Sequence, residues 1–459
     1  MGRKCDILYI HSSQNPLEEE GVKYAYVPVG IIGILNHLRT RGYEVIGINY
    51  SVEKSVDPNY QLEDTLRDIE YSVLMTDLHW YVHAFGAMYV CQLSKQVKPS
   101  VPVVIGGYTS TIFSREIMEN FPAVDYLVAG DSDLPMEQLV DYLLKGERDA
   151  EDIPNLFYRK DGRILRSQDT WVQTSLDDID FVSVDFFDHS DRLCYTTSGG
   201  VTRKLSERWI CIARGCKFNC GYCCGANRNM EKLFHRCNIL LRSPEKVAED
   251  FVRLDEMGIY HVAVTHDLQM FGKDYYREVF SHIRASNVKP GLYLECFQLP
   301  TKEYVDEMLR TFDVDKMLVA LSPISGNETI RRKNGKLFSN DDLYEMVEYL
   351  QSKKVKVQLY YTVNLVGETE EEFYDTYWQM KYMHLAMGMG RNNLLYQRVV
   401  IDPLAPMRDF EGIQVEYHTF MDYYNYAQHH AREFQVTGFE DGGAMTSAEK
   451  MELYQGIFA

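Results

Sequence analysis

No stretch of this 459-residue chain approaches the roughly 20 consecutive apolar residues needed to cross a bilayer, so no transmembrane helix is expected. Positive charge is in deficit. The 48 lysines and arginines stand against 67 aspartates and glutamates, a formal charge of −19, which excludes a nucleic-acid backbone as a general partner. Ten cysteines are too few for a disulfide scaffold at this length. Internal repeats and low-complexity tracts are absent. The basic start Met1-Gly2-Arg3-Lys4-Cys5 runs directly into strand-like CDILYIH with no signal-peptide cleavage pattern, so a cytoplasmic protein is expected. What is present is ordinary for a globular protein: 45% hydrophobic and 25% charged residues, in a chain long enough for about three domains. One feature is uneven. Six of the ten cysteines lie between Cys211 and Cys237.

The first 150 residues alternate short apolar runs with amphipathic stretches, the pattern of a parallel α/β sheet. Strands are expected at Asp6–His11, Tyr43–Tyr50, Tyr71–Thr76, Val101–Ile105 and Tyr126–Ala129, with helices around Val29–Arg41, Ala84–Val97, Ser114–Asn120 and Pro135–Leu144. Such a doubly wound domain binds ligands at the carboxyl ends of its strands. Gly106-Gly107-Tyr108-Thr109 lies at such an end, either as a close backbone approach to a ligand or as a strand-to-helix turn.

Residues 151–205 lose this rhythm and read as a connector, with a hairpin about Asp161-Gly162 and an acidic run SLDDIDF. From 206 to 405 the α/β rhythm returns. Strands are expected near Tyr260–Val264, Gly291–Cys296, Lys316–Leu321, Val355–Val363 and Leu394–Ile401, and helices at Pro244–Glu256, Thr301–Thr311 and Ser339–Lys353. The acidic run Glu368–Glu372 reads as a helix start. Residues 406–459 are rich in aromatics and histidine, and Phe420, Tyr423, Tyr424 and Tyr426 fall at helical spacing. They read either as a pocket mouth or as packing against the second α/β body.

The loop Ala213–Cys224 places Cys216, Cys220 and Cys223 in C-x3-C-x2-C spacing, with Gly215 and Gly221 relaxing the backbone. Three thiolates this close can converge on one metal centre, one ligand short of a closed site. A zinc site completed by Cys211, Cys224, His235 or Cys237 is the alternative, but no second CxxC pair accompanies it.

C-x3-C-x-aromatic-C with Tyr222 as the aromatic, ahead of a βα series, resembles the radical S-adenosylmethionine (SAM) enzymes. The resemblance implies that Cys216, Cys220 and Cys223 hold a [4Fe-4S] cluster whose fourth iron is chelated by SAM. One-electron reduction then cleaves SAM to methionine and a hydrogen-abstracting 5′-deoxyadenosyl radical. It also implies an electron donor such as flavodoxin or ferredoxin. Thr265-His266-Asp267 stands where the family places polar groups for the SAM amino end, although its usual Gly-Gly-Glu is absent. Ser322-Pro323-Ile324-Ser325-Gly326 stands near the family's carboxylate and ribose contacts in place of Glu-Ser-Gly, with Arg331 and Arg332 close behind as carboxylate partners or solvated charges. Asn364–Thr369, with Gly367 and Glu368, resembles the loop after strand five, and Asp402–Met407 the loop after strand six.

An α/β domain ahead of this body resembles the cobalamin-binding subfamily, through VPVGIIGILNHLRTRGYEV, VIGGYTST, AGDSD and the connector DIPNLFYR. The fold implied is a doubly wound, Rossmann-like cobalamin-binding domain, a radical SAM partial (β/α)6 barrel and a small, mostly helical C-terminal region. The chemistry implied is cobalamin-dependent methylation of an unactivated carbon in a small molecule, with Gly106, Gly107 and Thr109 over the corrin tail. Cobalamin-free hydrogen abstraction driving dehydration, epimerisation or rearrangement stays open as the alternative. Asp77-Leu78-His79 begins the D-x-H-x-x-G pattern of other cobalamin proteins, but residue 82 is Val. His79 and His83 therefore read as groups near a cobalt face or as ordinary polar contacts. Cys296 and Tyr424 are the candidate catalytic residues, as hydrogen-atom donors to a product radical.

Overall fold

The computed structural model describes residues 3–18, 26–193, 195–198, 201–363, 365, 367–398, 402–410, 415–430 and 445–458. The chain divides into two compact units, one built mainly from residues up to Leu205 with Asn229–Leu240 and Tyr417–Val436, the other from the rest. No helix among the described residues is long and apolar enough to cross a membrane.

The first unit is organised by β1 (Lys4–His11), β2 (Val45–Asn49), β3 (Glu70–Asp77), β4 (Val103–Gly106), β5 (Tyr126–Val128), β6 (Leu156–Lys160) and β7 (Arg163–Arg166). Their order is β2-β1-β3-β4-β5-β6-β7. The first five are parallel, with Ile7 opposite both Val45 and Val73, and the last two are an antiparallel hairpin on β5. Continuous apolar strands such as Ile7–Ile10 suit a sheet covered on both faces. One face packs Leu8, Leu74 and Ile105 under helix Ala84–Val97, and the other packs Ile7, Val73 and Val104 under helices Val29–Thr40 and Asp133–Lys145. Strand order reverses beside β1, opening a crevice at the carboxyl ends of β1 and β3.

The hairpin expected at Asp161-Gly162 is β6–β7, so the first sheet continues into the stretch read as a connector. Helices Tyr50–Val56 and Leu62–Asp68 were not expected. Each has only seven residues, too short for a clear period, and packs through Val52, Leu62 and Leu66. The aromatic helix Phe420–His429 differs from expectation in its partner. Phe420 and Tyr423 are buried with Phe113 and Phe121 in the core of the first unit, and not against the second α/β body.

The second sheet contains β8 (Tyr195–Ser198), β9 (Val201–Ile210), β12 (His261–Val264), β13 (Leu292–Cys296), β14 (Met317–Ile324), β15 (Lys356–Val363) and β16 (Leu394–Arg398). The short pair β10 (Ala213–Arg214) and β11 (Leu240–Leu241) forms a separate ladder. From β9 through β16 the main strands pair in parallel and in sequence order, the sheet of a six-stranded partial barrel. Residues 399–401 of the last expected strand lie outside the described residues. Helix starts follow local chemistry. Ser243 caps Pro244–Glu256, with Pro244 in the first turn, and the Ser339/Asp342 and Thr369/Glu372 capping boxes open Asn340–Ser352 and Glu370–Leu385. The described C-terminal helices are Phe420–His429 and Ser447–Gly456.

Candidate functional site

The cysteine loop leaves β10 at Gly215, whose φ of +95° suits glycine, and it is pinned along its length. His266 Nε2 lies 2.9 Å from the Gly215 carbonyl, Lys217 Nζ donates to Met270 O at 2.6 Å, and the Phe218 ring sits 5.4 Å from Phe297. Further along, Met407 N–H donates to Gly221 O at 2.7 Å and Asp402 N–H to Tyr222 O at 3.2 Å. Cys224 N–H returns a bond to the half-buried Asp402 carboxyl at 3.0 Å. Tyr222 packs on Ile324, Ile330, Leu365, Ala405 and Met407. The loop ends singled out in sequence after β14, β15 and β16 therefore gather around the aromatic of the cysteine motif. Asn364 and Val366 of the second of these loops lie outside the described residues.

Burial pushes the Cys223 thiol up to about 12, with Asp402, Cys220 and Cys216 adding to the rise, and burial also raises Cys220. Without a positive centre, burial favours the protonated forms of Cys220 and Cys223; a bound metal centre reverses that preference. Among the described residues, no three His, Cys, Asp or Glu side chains are drawn together tightly enough to hold a single metal ion. The donor set does suit a larger cluster: three half-buried thiols, mutually sensed, on one short loop.

Around the loop, Asp267 ends β12 and is buried, capping Leu268–Phe271 by accepting the Gln269 N–H at 3.0 Å; burial raises its carboxyl to about 6. Cys296 ends β13, fully buried, its thiol raised well above the ordinary value by burial and then by Asp267. Lys336 is a residue that sequence reasoning missed. Its ammonium is buried, donates to Phe297 O at 2.8 Å, and feels Cys220, Cys296, Glu295 and Asp267. The basic run from Arg331 to Lys336 was its only signal, and nothing in the spacing separates Lys336 from its exposed neighbours.

Ser325 follows β14 through Ile324, a β-branched residue held at φ +59°. Ser325 is buried, with its Oγ 3.2 Å from Thr376 Oγ1 and accepting Asn327 N–H at 3.1 Å. A Cβ on Gly326 would meet the backbone of Asp375 at 2.4 Å, so only glycine fits there. Arg331 is entirely buried and its guanidinium is committed: it donates to the carbonyls of Pro323, Ser325 and Phe338 and to Asn340 and Gln379. Both readings offered for it in sequence, carboxylate partner and solvated charge, give way to a latch that holds the Ser325 turn. Gly367 has φ +77°, and Glu368 is buried beside it.

In the first unit, Gly107 needs to be glycine. Its φ is +117°, and a Cβ would lie 2.7 Å from the Leu78 carbonyl group. Gly106 has only ordinary contacts. Thr109 is buried and spends its hydroxyl on His79 O at 2.9 Å. Nearby, a cavity of about 220 Å³ is lined by Thr111, Ser114, Gly130, Trp171, Lys232 and His235, among others. At the reversal crevice, His11 Nδ1 lies 2.7 Å from Asp77 Oδ1, which also accepts the Tyr9 hydroxyl at 2.6 Å. Four buried polar atoms at the ends of β1 and β2 find no partner among the described residues: His11 Nε2, Ser12 Oγ, Gln14 Oε1 and Asn49 Nδ2. Buried groups of this kind are normally satisfied, so their concentration suits a polar ligand. Burial holds His83 down to about 3 and lowers His79, so both imidazoles are neutral at pH 7. Tyr424 belongs to the first unit, packed 5.3 Å from Phe85 and 5.1 Å from Phe121.

Residues 210–377 match the model of the radical SAM superfamily, and residues 21–140 match that of the B12 binding domain. Residues 210–377 are thus a domain of the radical SAM superfamily. The chain's α/β units correspond to a B12-binding domain and a radical SAM domain. An uncharacterized methyltransferase of Pyrococcus horikoshii is 28% identical over 30% of this chain and 28% of its own length. The anaerobic magnesium-protoporphyrin IX monomethyl ester cyclase of Synechocystis is 25% identical over 40% of this chain and 32% of its own. The chain thus spans about a third of the length of these relatives. The radical SAM methyltransferase TsrM of Kitasatospora setae, solved with cobalamin and a [4Fe-4S] cluster, shares the fold at a TM-score of 0.68 and 15% identity, over 99% of this chain and 91% of that one.

Proposed function

We propose that this protein is a radical SAM enzyme that methylates an unactivated carbon of a small molecule with the help of cobalamin. The observation that carries the proposal is the three-thiol loop, pinned by the ends of β12, β13 and β16, in a chain that also holds a B12-binding domain with unsatisfied polar atoms at its crevice. When bound, a [4Fe-4S] cluster on Cys216, Cys220 and Cys223 supplies the electron that cleaves SAM, and cobalamin supplies the methyl group.

The chain's own part is binding and positioning. Lys336 offers a desolvated ammonium beside Cys220, suited to the methionine carboxylate of SAM. Asp267 and the Ser325–Gly326 turn, held by Arg331, frame the amino and ribose ends, and Gly367 and Glu368 close the next loop. Burial keeps the Cys296 thiol protonated, the state that a hydrogen-atom donor would need in the cobalamin-free alternative; methyl transfer to the substrate radical needs no such donor. In the B12-binding domain, Gly106, Gly107 and Thr109 border the corrinoid tail. The electron donor is a flavodoxin or ferredoxin, and the protein works in the cytoplasm without nucleic acid or membrane.

The test is anaerobic reconstitution of the full chain, corrinoid quantification, and reduction in the presence of SAM. Bound corrinoid with both S-adenosylhomocysteine and 5′-deoxyadenosine is expected. 5′-Deoxyadenosine alone from a corrinoid-free protein would favour the cobalamin-free alternative, and neither product would overturn the enzyme reading.

A further inference from the structure

Parallel sheets are ordinarily covered on both faces, and among the described residues one face of the second sheet is only partly covered along β15. Along β15 the burial alternates strictly: Val357, Leu359, Tyr361 and Val363 are buried, whereas Gln358, Tyr360 and Thr362 are half-exposed. The register puts Trp209, Ala263, Tyr293 and Leu318 in one row across four strands, and Glu295, Ala320 and Gln358 in the row nearer the strand ends. Ala263, Tyr293 and Ala320 form a small buried cluster in these rows, with the part-exposed Trp209, Leu318 and Tyr360 packed against it. On this face the exposed Glu295 carboxyl stands beside part-exposed aromatic rings.

That carboxylate has capacity to spare. Glu295 accepts the Tyr293 hydroxyl at 2.6 Å, and Tyr293 in turn lies 3.2 Å from the Tyr360 hydroxyl. Among the described residues no cation comes within ion-pair distance of Glu295, since Lys336 is turned to the Phe297 carbonyl. The Trp209 ring meets Tyr293 edge-on at 5.9 Å. Below them His261, only 7% exposed, presents an Nε2 with no partner among the described residues. An oriented carboxylate among electron-rich ring faces attracts a cation, and it repels an anion.

We propose that the open face of the second sheet binds a substrate carrying a protonated amine, with Glu295 as its anchor and Tyr293, Tyr360 and Trp209 as its walls. This names the substrate class for the reaction above and rests on that reading only for the chemistry that follows binding. Tyr293 is a positioning residue, fixing one oxygen of Glu295 so that the other faces the amine.

Matched probes test it on the anaerobically purified full chain by calorimetry: tryptamine and tyramine against indole-3-propionate and 3-(4-hydroxyphenyl)propionate. The amines are expected to bind at least about tenfold more tightly than the acids, and Glu295→Gln is expected to weaken amine binding roughly 30-fold while leaving the acids unchanged. Glu295→Asp should restore part of the loss, which a merely structural role would not do. Acids that bind as well as the amines, amines that do not bind, or amine binding indifferent to Glu295→Gln would each overturn the proposal. The two readings fail separately. A protein that binds amines through Glu295 yet never cleaves SAM sinks the enzyme reading alone.

Discussion

The two sheets are both parallel and both built from βα units, yet they spend their strand faces differently. The first is covered on both sides, by Ile7, Val73 and Val104 on one face and Leu8, Leu74 and Ile105 on the other, so its chemistry is confined to its carboxyl edge. The second buries one face and leaves the other half-open, so loops at its strand ends and side chains on its strands both remain available. A fully covered sheet holds a ligand at its rim; a half-covered one also takes a ligand inside.

The most direct way to break this contrast is at the cysteine loop. Cys223→Ala should abolish 5′-deoxyadenosine formation and remove most of the cluster iron, while leaving corrinoid content intact, because the B12-binding domain carries its own ligand atoms. Iron and corrinoid measured on the same preparation check this. Parallel loss of both would show that the two units do not bind their cofactors independently.

Next in size is Arg331, which separates scaffold from site. Replacing its guanidinium by methionine leaves the Ser325 and Phe338 carbonyls, Asn340 and Gln379 without their shared donor in a dry interior. Arg331→Met should destabilise the second unit by about 3 kcal/mol or more, read as earlier hydrogen exchange in β14 and β15 with β1 and β3 unchanged.

The units should also answer pH with opposite signs. His83 has its pKa lowered to about 3 by burial, so the first unit loses stability as pH falls below about 6.5, where the unfolded imidazole begins to charge. Asp267 is raised to about 6, so its neutral form favours the folded second unit, and that contribution is lost as pH rises from about 4 through 6. From the size of the shifts the full swing amounts to about 5 kcal/mol for His83 and about 3 kcal/mol for Asp267. Unit-resolved hydrogen exchange at pH 5 and pH 7.5 reads both, and Asp267→Asn should flatten the response of the second unit only.

Much of this was legible in sequence because the signals were local. Ala84–Val97 and Pro244–Glu256 carry their own period and caps, and C-x3-C-x2-C states its donor set outright. What was not legible depends on residues far apart. Arg331 and Lys336 stand in one basic run, and only tertiary burial makes the first a latch and the second a cation beside Cys220. The same holds for Phe420 and Tyr423, whose spacing fixed the helix face but not the unit it covers. His11 and Asp77 pair across β1 and β3, which no spacing along the chain reveals.

The smallest predicted effect is also the most discriminating, because it divides two adjacent glycines that look alike in sequence. At Gly107 a Cβ would press on the Leu78 and His79 backbone with φ at +117°, so Gly107→Ala should cost about 1–3 kcal/mol in the first unit. At Gly106 the nearest atom to a Cβ is 3.6 Å away, so Gly106→Ala should change stability by less than about 0.5 kcal/mol. Corrinoid retention then separates the reasons for the pair. If Gly106→Ala keeps its stability but loses corrinoid, that glycine admits the ligand and Gly107 shapes the turn. If it keeps both, the loop's conformation is set by Gly107 alone, and the edge of the covered sheet meets its ligand elsewhere, at the unsatisfied atoms of His11, Ser12 and Asn49.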